Sequence, residues 1–222
     1  MIWKLPIEFS KKEGVFDYIN SSYLDYFVTY VLDWRFREST ELRPWIKNQV
    51  DNPTEDLINA AKEATATLPT NASTDSIVVA CLRYVHNRTT YTPDNKTWGT
   101  DEKWQTAQET LMSCKGDCED GSILMYVLCR LNKVPANRLL INAGGVVSGG
   151  HCWLSYRPDE YPLNFIFADW CYYYQDTYPA NRNKFYIQDK KILGEDARYQ
   201  TLWFAFNEDK SYIELKNKYG AK

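Results

Sequence analysis

Apolar residues recur at helical spacing in the first half of this chain and at strand spacing in the second. Ile77, Val78, Cys81, Leu82 and Val85 share one face of a 3.6-residue period, which predicts a helix over 74–86. Asn52-Pro53-Thr54-Glu55 is a start signal for an earlier helix over 54–68, stopped by Pro69. Ile123, Leu124, Val127, Leu128 and Leu131 form the stripe of a third, over 118–132, and Pro135 ends it. A short helical turn fits 104–111. Beyond it the period shortens towards two. Strands are expected over 138–143, 151–157, 164–170, 184–188 and 202–206, with a further one over 211–215. A glycine-rich loop (Gly144, Gly145, Gly149, Gly150) separates the first two. Helices come first and strands later, so the expected class is α+β with a mostly antiparallel sheet.

Two stretches resist this reading. Residues 1–50 are irregular and aromatic, with one helix expected over 22–36. A polar connection over 87–102 is long for a compact domain, and such loops more often carry function. The organisation expected is an aromatic extension (1–50), a catalytic core (51–180) and flanking strands (181–222).

Bulk properties narrow the classes. A chain of 222 residues suits one large domain, and the net charge of -3 without a basic cluster argues against a nucleic-acid partner. No apolar run is long enough to span a membrane, and the first residues do not read as a signal sequence, so no membrane partner and a cytoplasmic location are expected. Six cysteines in a chain of this size read as free thiols, and their spacing does not suggest zinc. No metal and no cofactor are expected. The 17 Tyr, 8 Trp and 9 Phe fill a core or line a groove.

Gly116-Asp117-Cys118-Glu119-Asp120 changes the picture most. It places Cys118 at the start of the third helix, where unpaired N–H groups and the helix dipole favour a thiolate. Asp117 is a natural N-cap and Asp120 completes an acidic capping box. The acidic flanks oppose the anion unless they are turned away, spent on caps or offset by an imidazolium. Gly121 and Ser122, one turn on, are small and leave room for a ligand. The bland alternative is an inert buried cysteine.

Of two histidines, His86 reads as a surface or helix-end residue. His151 opens a strand, sharing a face with Trp153 and Ser155, where it can accept the thiol proton or be a satisfied core histidine. Asp169 ends the apolar strand Phe165-Ile166-Phe167-Ala168. A carboxylate there needs a partner; it either orients His151 or caps the strand end.

The sequence resembles the transglutaminase-like superfamily of thiol enzymes. The likeness runs through Tyr91-Thr92-Pro93-Asp94, Trp104-Gln105-Thr106-Ala107-Gln108-Glu109-Thr110-Leu111, Gly116-Asp117-Cys118-Glu119-Asp120, Leu131-Asn132-Lys133-Val134-Pro135-Ala136, His151-Cys152-Trp153 and Asp169. The resemblance implies a papain-like core, a nucleophile-bearing helix packed on a mostly antiparallel sheet. It implies Cys118 as nucleophile, His151 as base and Asp169 as orienting residue. The substrate class it implies is a protein or peptide with an amide or isopeptide carbonyl, hydrolysed through a thioester. Alternatives are acyl transfer to an amine, or an inactive binding module of the same fold. The oxyanion is expected at the Cys118 N–H plus a second donor, with Trp98, Trp104 or Gln105 as candidates and Trp153 as a substrate contact.

Overall fold

Side-chain oxygens set where the helices begin. Thr54, Ser73 and Thr106 each accept the backbone N–H three residues on, satisfying one donor that the first helical turn leaves unpaired. The computed structural model describes residues 42–159, 165–172, 184–188, 191–194 and 199–210. The helix expected over 22–36 and the strand over 211–215 lie outside them.

The helices are α1 (Leu42–Asp51), α2 (Glu55–Ala64), α3 (Thr74–Arg88), α4 (Asp94–Thr97), α5 (Ala107–Ser113) and α6 (Cys118–Leu131). Short strands β1 (Thr90–Tyr91) and β2 (Lys115–Gly116) pair in parallel and tie the 87–102 connection to the entry of α6. The main sheet holds β3 (Leu139–Val146), β4 (Gly149–Tyr156), β5 (Phe165–Ala168), β6 (Lys184–Gln188), β7 (Lys191–Gly194) and β8 (Tyr199–Phe206). Its order is β7-β6-β5-β4-β3-β8, antiparallel throughout. The fold is therefore α+β, with the cysteine-bearing helix laid on an antiparallel sheet.

α6 is more deeply buried than its apolar stripe predicts. Every residue from Glu119 to Cys129 is buried. Helices α1, α2, α3 and α5 pack on one side of it and the sheet on the other, so it is enclosed all round rather than amphipathic. Ile123, Leu124, Met125, Tyr126, Val127 and Leu128 are at most 1% exposed. Truncating any of the aliphatic ones to alanine would cost about 2–5 kcal/mol. The other face of the sheet carries a second cluster that includes Leu140, Trp153, Phe167, Tyr199 and Leu202.

Three sequence expectations shift. The glycine loop is mostly strand: Val146 pairs with Gly149, leaving a two-residue turn at Val147 and Ser148. Gly149 takes φ +134°, which a side chain resists. Residue 50 falls inside α1, whose Ile46 is fully buried in the core beside α6. β8 starts three residues earlier than expected, and that extension matters for the site.

Candidate active site

Cys118 is the first residue of α6. Asp117 caps it, and the Asp117 N–H donates back to Asp120 Oδ2 across 3.2 Å. The Cys118 carbonyl accepts from Trp170 Nε1 at 3.1 Å and Ser122 Oγ at 2.8 Å, so the residue is held from two sides. Gly121 is small for a different reason from the one its position suggests. A Cβ there would overlap the Trp170 indole, so the space belongs to Trp170 and not to a ligand.

His151 stands near the start of β4, its ring stacked on Trp153 at 5.9 Å and met edge-on by Tyr172 at 5.2 Å. Its Nε2 is 2.6 Å from Asp169 Oδ2. The Cys118 thiol lies near enough to the same ring for the two to perturb each other, the ring drawing the thiol down and the thiol drawing the ring up. The three side chains singled out in the sequence thus meet, from α6, β4 and the end of β5.

Asp169 is fully occupied. Its Oδ2 also accepts the Tyr199 hydroxyl at 2.6 Å, and Oδ1 accepts the Cys171 N–H at 3.0 Å. Burial works against a charge on His151, but the Asp169 carboxylate and its hydrogen bond, with help from Cys118, push the imidazole up to about 11. Burial also pushes the Cys118 thiol up, and the hydrogen bond and charge of His151 only partly pull it back. The start of α6 favours the anion, but burial works against it here, and the His151 charge works for it.

The acidic flanks do not turn away. The Cys118 thiol donates to Glu119 Oε2 at 3.2 Å. Asp120 accepts the Gln105 N–H at 2.8 Å and the Gln105 side-chain amide. Asp94 accepts the Lys103 N–H, and Glu102 accepts Trp104 Nε1 at 2.9 Å. Ligand atoms of Asp94, Glu102 and Glu119 lie within 4.8 Å of one another, as do those of Asp94, Asp117 and Asp120. Burial, reinforced by neighbouring carboxylates, pushes Glu102 up to about 9 and Glu119 and Asp120 well above the carboxylate range; burial also raises Asp117. Glu119 is 4% exposed, and its Oε1 finds no hydrogen-bond partner among the described residues. Five carboxyls so placed either hold protons or share a cation; hard oxygen donors of this kind fit calcium or magnesium.

The candidates for a second oxyanion donor lie elsewhere. Trp104 is fully buried, its N–H spent on Glu102 and its ring stacked near Phe204 and Phe206. Gln105 is fully buried and donates to Asp120 and Lys115 O. Trp153, also fully buried, supports the His151 ring and offers no face to a substrate. Trp98 is 40% exposed, with Lys103 Nζ 3.2 Å over its ring.

Several residues at the site had no role assigned from the sequence. Tyr91 is 54% exposed, 6.0 Å from Trp170; burial and then the charge of Cys118 raise its hydroxyl. Cys171 joins His151 and Asp169 in one cluster. Tyr199, Asp94 and Glu102 are brought in by tertiary pairing, which no local spacing announces. His86 reaches the site indirectly, with Nδ1 2.9 Å from the Trp170 carbonyl.

Residues 58–161 match the family model Transglut_core, the transglutaminase-like superfamily. The resemblance read in the sequence holds over that span. No curated protein matches the chain. Among solved structures, Legionella pneumophila LapG is similar at 20% identity, over 76% of this chain and 85% of its own, with a TM-score of 0.45. Its calcium-bound form gives 21% identity, 76% and 85% coverage and a TM-score of 0.46. A TGase is similar at 15% identity, over 62% of this chain and 38% of its own, with a TM-score of 0.39. No helix among the described residues is long and apolar enough to cross a membrane.

Proposed function

From the transglutaminase-like core over 58–161, we propose that this protein is a thiol hydrolase of amide, peptide or isopeptide bonds, with Cys118, His151 and Asp169 as its catalytic constellation. The observation that carries the reading is the imidazole itself: its Nε2 is held by Asp169 at 2.6 Å, and the ring lies near enough to Cys118 to favour the thiolate. The catalytic unit is the core around 51–180, and the partner is a protein or peptide.

The chemistry follows from these groups. With the thiol proton held on the His151 ring as imidazolium, the Cys118 sulfur attacks the carbonyl carbon. The tetrahedral oxyanion is met by the backbone N–H of Cys118 at the start of α6. The imidazolium gives its proton to the amine, the C–N bond breaks, and a thioester remains. His151 then takes a proton from water, the hydroxide attacks the thioester, and the proton returns to the departing sulfur as the acid leaves. Asp169 holds the ring orientation and supports its charge throughout.

Iodoacetamide labelling of the intact chain near neutral pH tests this. One thiol should label rapidly, and the label should disappear in Cys118→Ala. A Cys118 no faster than an ordinary thiol overturns the reading in favour of an inactive module. Incorporation of an amine probe into glutamine peptides without net hydrolysis would replace water by an amine as acceptor.

A second reading concerns the carboxylates. The unpartnered Oε1 of buried Glu119, facing Asp94 and Glu102, favours a divalent-cation site at the entry of α6. Glu119, Asp94, Glu102 and Asp117 would hold the ion, which would neutralise the cluster and brace the turn before Cys118. The bond-breaking steps run on the thiol, imidazole and Asp169 alone. A thermal shift with calcium, removed by a chelator and absent in Glu119→Gln, tests it; no shift with calcium or magnesium overturns it.

A further inference from the structure

Oδ2 of Asp169 serves two donors at once: His151 Nε2 at 2.6 Å and the Tyr199 hydroxyl at 2.6 Å. Both residues are buried, Asp169 at 6% exposure and Tyr199 at 6%. The Tyr199 ring is locked by edge contacts to Phe167 at 4.4 Å and Trp153 at 5.0 Å. The hydroxyl is therefore aimed by packing and has little freedom to swing away.

A carboxylate oxygen that accepts two strong hydrogen bonds divides its negative charge between them. Whatever Tyr199 takes is withdrawn from His151. We propose that Tyr199 is a positioning residue of the catalytic constellation: its hydroxyl fixes the Asp169 carboxylate and limits how strongly that carboxylate holds the imidazolium of His151. This rests on the hydrolase reading above. The benefit is chemical. An imidazolium bound too tightly cannot hand its proton to a leaving amine, and a basicity nearer the working pH improves both transfers. Among the described residues, the groups that face this pair from the packed elements are Asp117 at the cap of α6, Cys118 and Glu119 of α6, Cys152 of β4, Cys171 and Tyr172 after β5, and Tyr199 of β8. Tyr199 is the one among them with a hydrogen bond to the Asp169 oxygen that His151 uses.

The chain has two histidines, so an NMR titration of ring protons resolves His151 once His86→Gln identifies the other. In Tyr199→Phe the full charge of Oδ2 turns to the imidazole, and His151 gives up its proton about half a pH unit or more higher than in wild type. With 3-fluorotyrosine at position 199, a stronger donor on the same ring, the titration moves lower. Phe167→Leu loosens the same aromatic packing without touching a proton and leaves the titration in place. An unmoved titration in the Phe and fluorotyrosine chains overturns the inference, as does an equal shift in Phe167→Leu. If Tyr199→Phe does not fold, the fluorotyrosine chain decides alone. Rapid Cys118 labelling with an unmoved titration overturns this inference and leaves the hydrolase reading standing; slow labelling removes the hydrolase reading and with it the role argued here.

Discussion

The thiol of Cys118 donates to Oε2 of Glu119, the next residue in the chain, across 3.2 Å. A thiolate and a carboxylate at that separation, both buried, repel. Burial and the charges of Asp117 and Cys118 push Glu119 well above the carboxylate range, which favours its neutral acid form facing the sulfur. A neutral acid donates to a thiolate instead of opposing it. A protonated Glu119 thus reconciles the acidic motif with the nucleophile proposed for Cys118.

Replacing that acid with its neutral isostere tests this directly. Glu119→Gln should label at Cys118 close to the wild-type rate at neutral pH. Its rate should lack the slowing that wild type shows as Glu119 ionises on the alkaline side. A pH profile of iodoacetamide labelling for both chains is the measurement, and a large loss at neutral pH in the Gln variant would contradict it.

Asp169→Asn keeps the shape and removes the charge. His151 should then titrate well below about 11, since the Asp169 charge and hydrogen bond are what hold its proton against burial. Turnover of an amide substrate should fall on the order of 10^3–10^4-fold, as it does when the orienting acid of such a set is neutralised. Ring-proton NMR and steady-state kinetics check the two parts separately.

Stability should fall as pH rises. Glu102 has a folded value near 9 against an ordinary 4.5, so the native state binds more protons than the unfolded chain between those limits. His151 acts in the same sense between 6.5 and about 11. Stability from both is complete in mild acid and is lost through these windows. Glu109 and Asp159, held below their ordinary values by hydrogen bonds and by Lys103 and Arg138 respectively, lose theirs on the acid side. Urea midpoints in chelator should therefore peak in mildly acidic solution and decline towards pH 9.

Gly121→Ala drives a methyl into the Trp170 indole and displaces the N–H that holds the Cys118 carbonyl. The cost should be about 1–3 kcal/mol by urea unfolding. Cys118 labelling should fall with it, because the helix entry loses a brace. Ala at Gly121 with unchanged stability and labelling would show that Trp170 moves freely.

The parts of this molecule that were legible in the sequence are those written locally. Thr54 announced its helix by a start signal, and the periods around Val78 and Leu82 and around Val127 and Leu128 announced the next two. Cys118 stood out through its flanks, His151 through the scarcity of histidine, and Asp169 as a carboxylate in an apolar strand. What escaped is what only folding brings together. Asp94 meets Glu119 from a connection whose length suggested a function but not this contact. Tyr199 reaches Asp169 because β8 pairs with β3, a long-range register with no local signature. The same limit applies to two of the oxyanion candidates: spacing placed Trp104 and Gln105 near the motif, while in the fold their side-chain donors bond Glu102 and Asp120.

The pairing of β8 against β3 also orders events in time. A ribosome delivers the sulfur first, the ring some thirty residues later and the tyrosine last, nearly fifty residues after the ring. Until β8 docks along the sheet edge, Asp169 lacks the tyrosine donor that it shares with His151 in the folded chain.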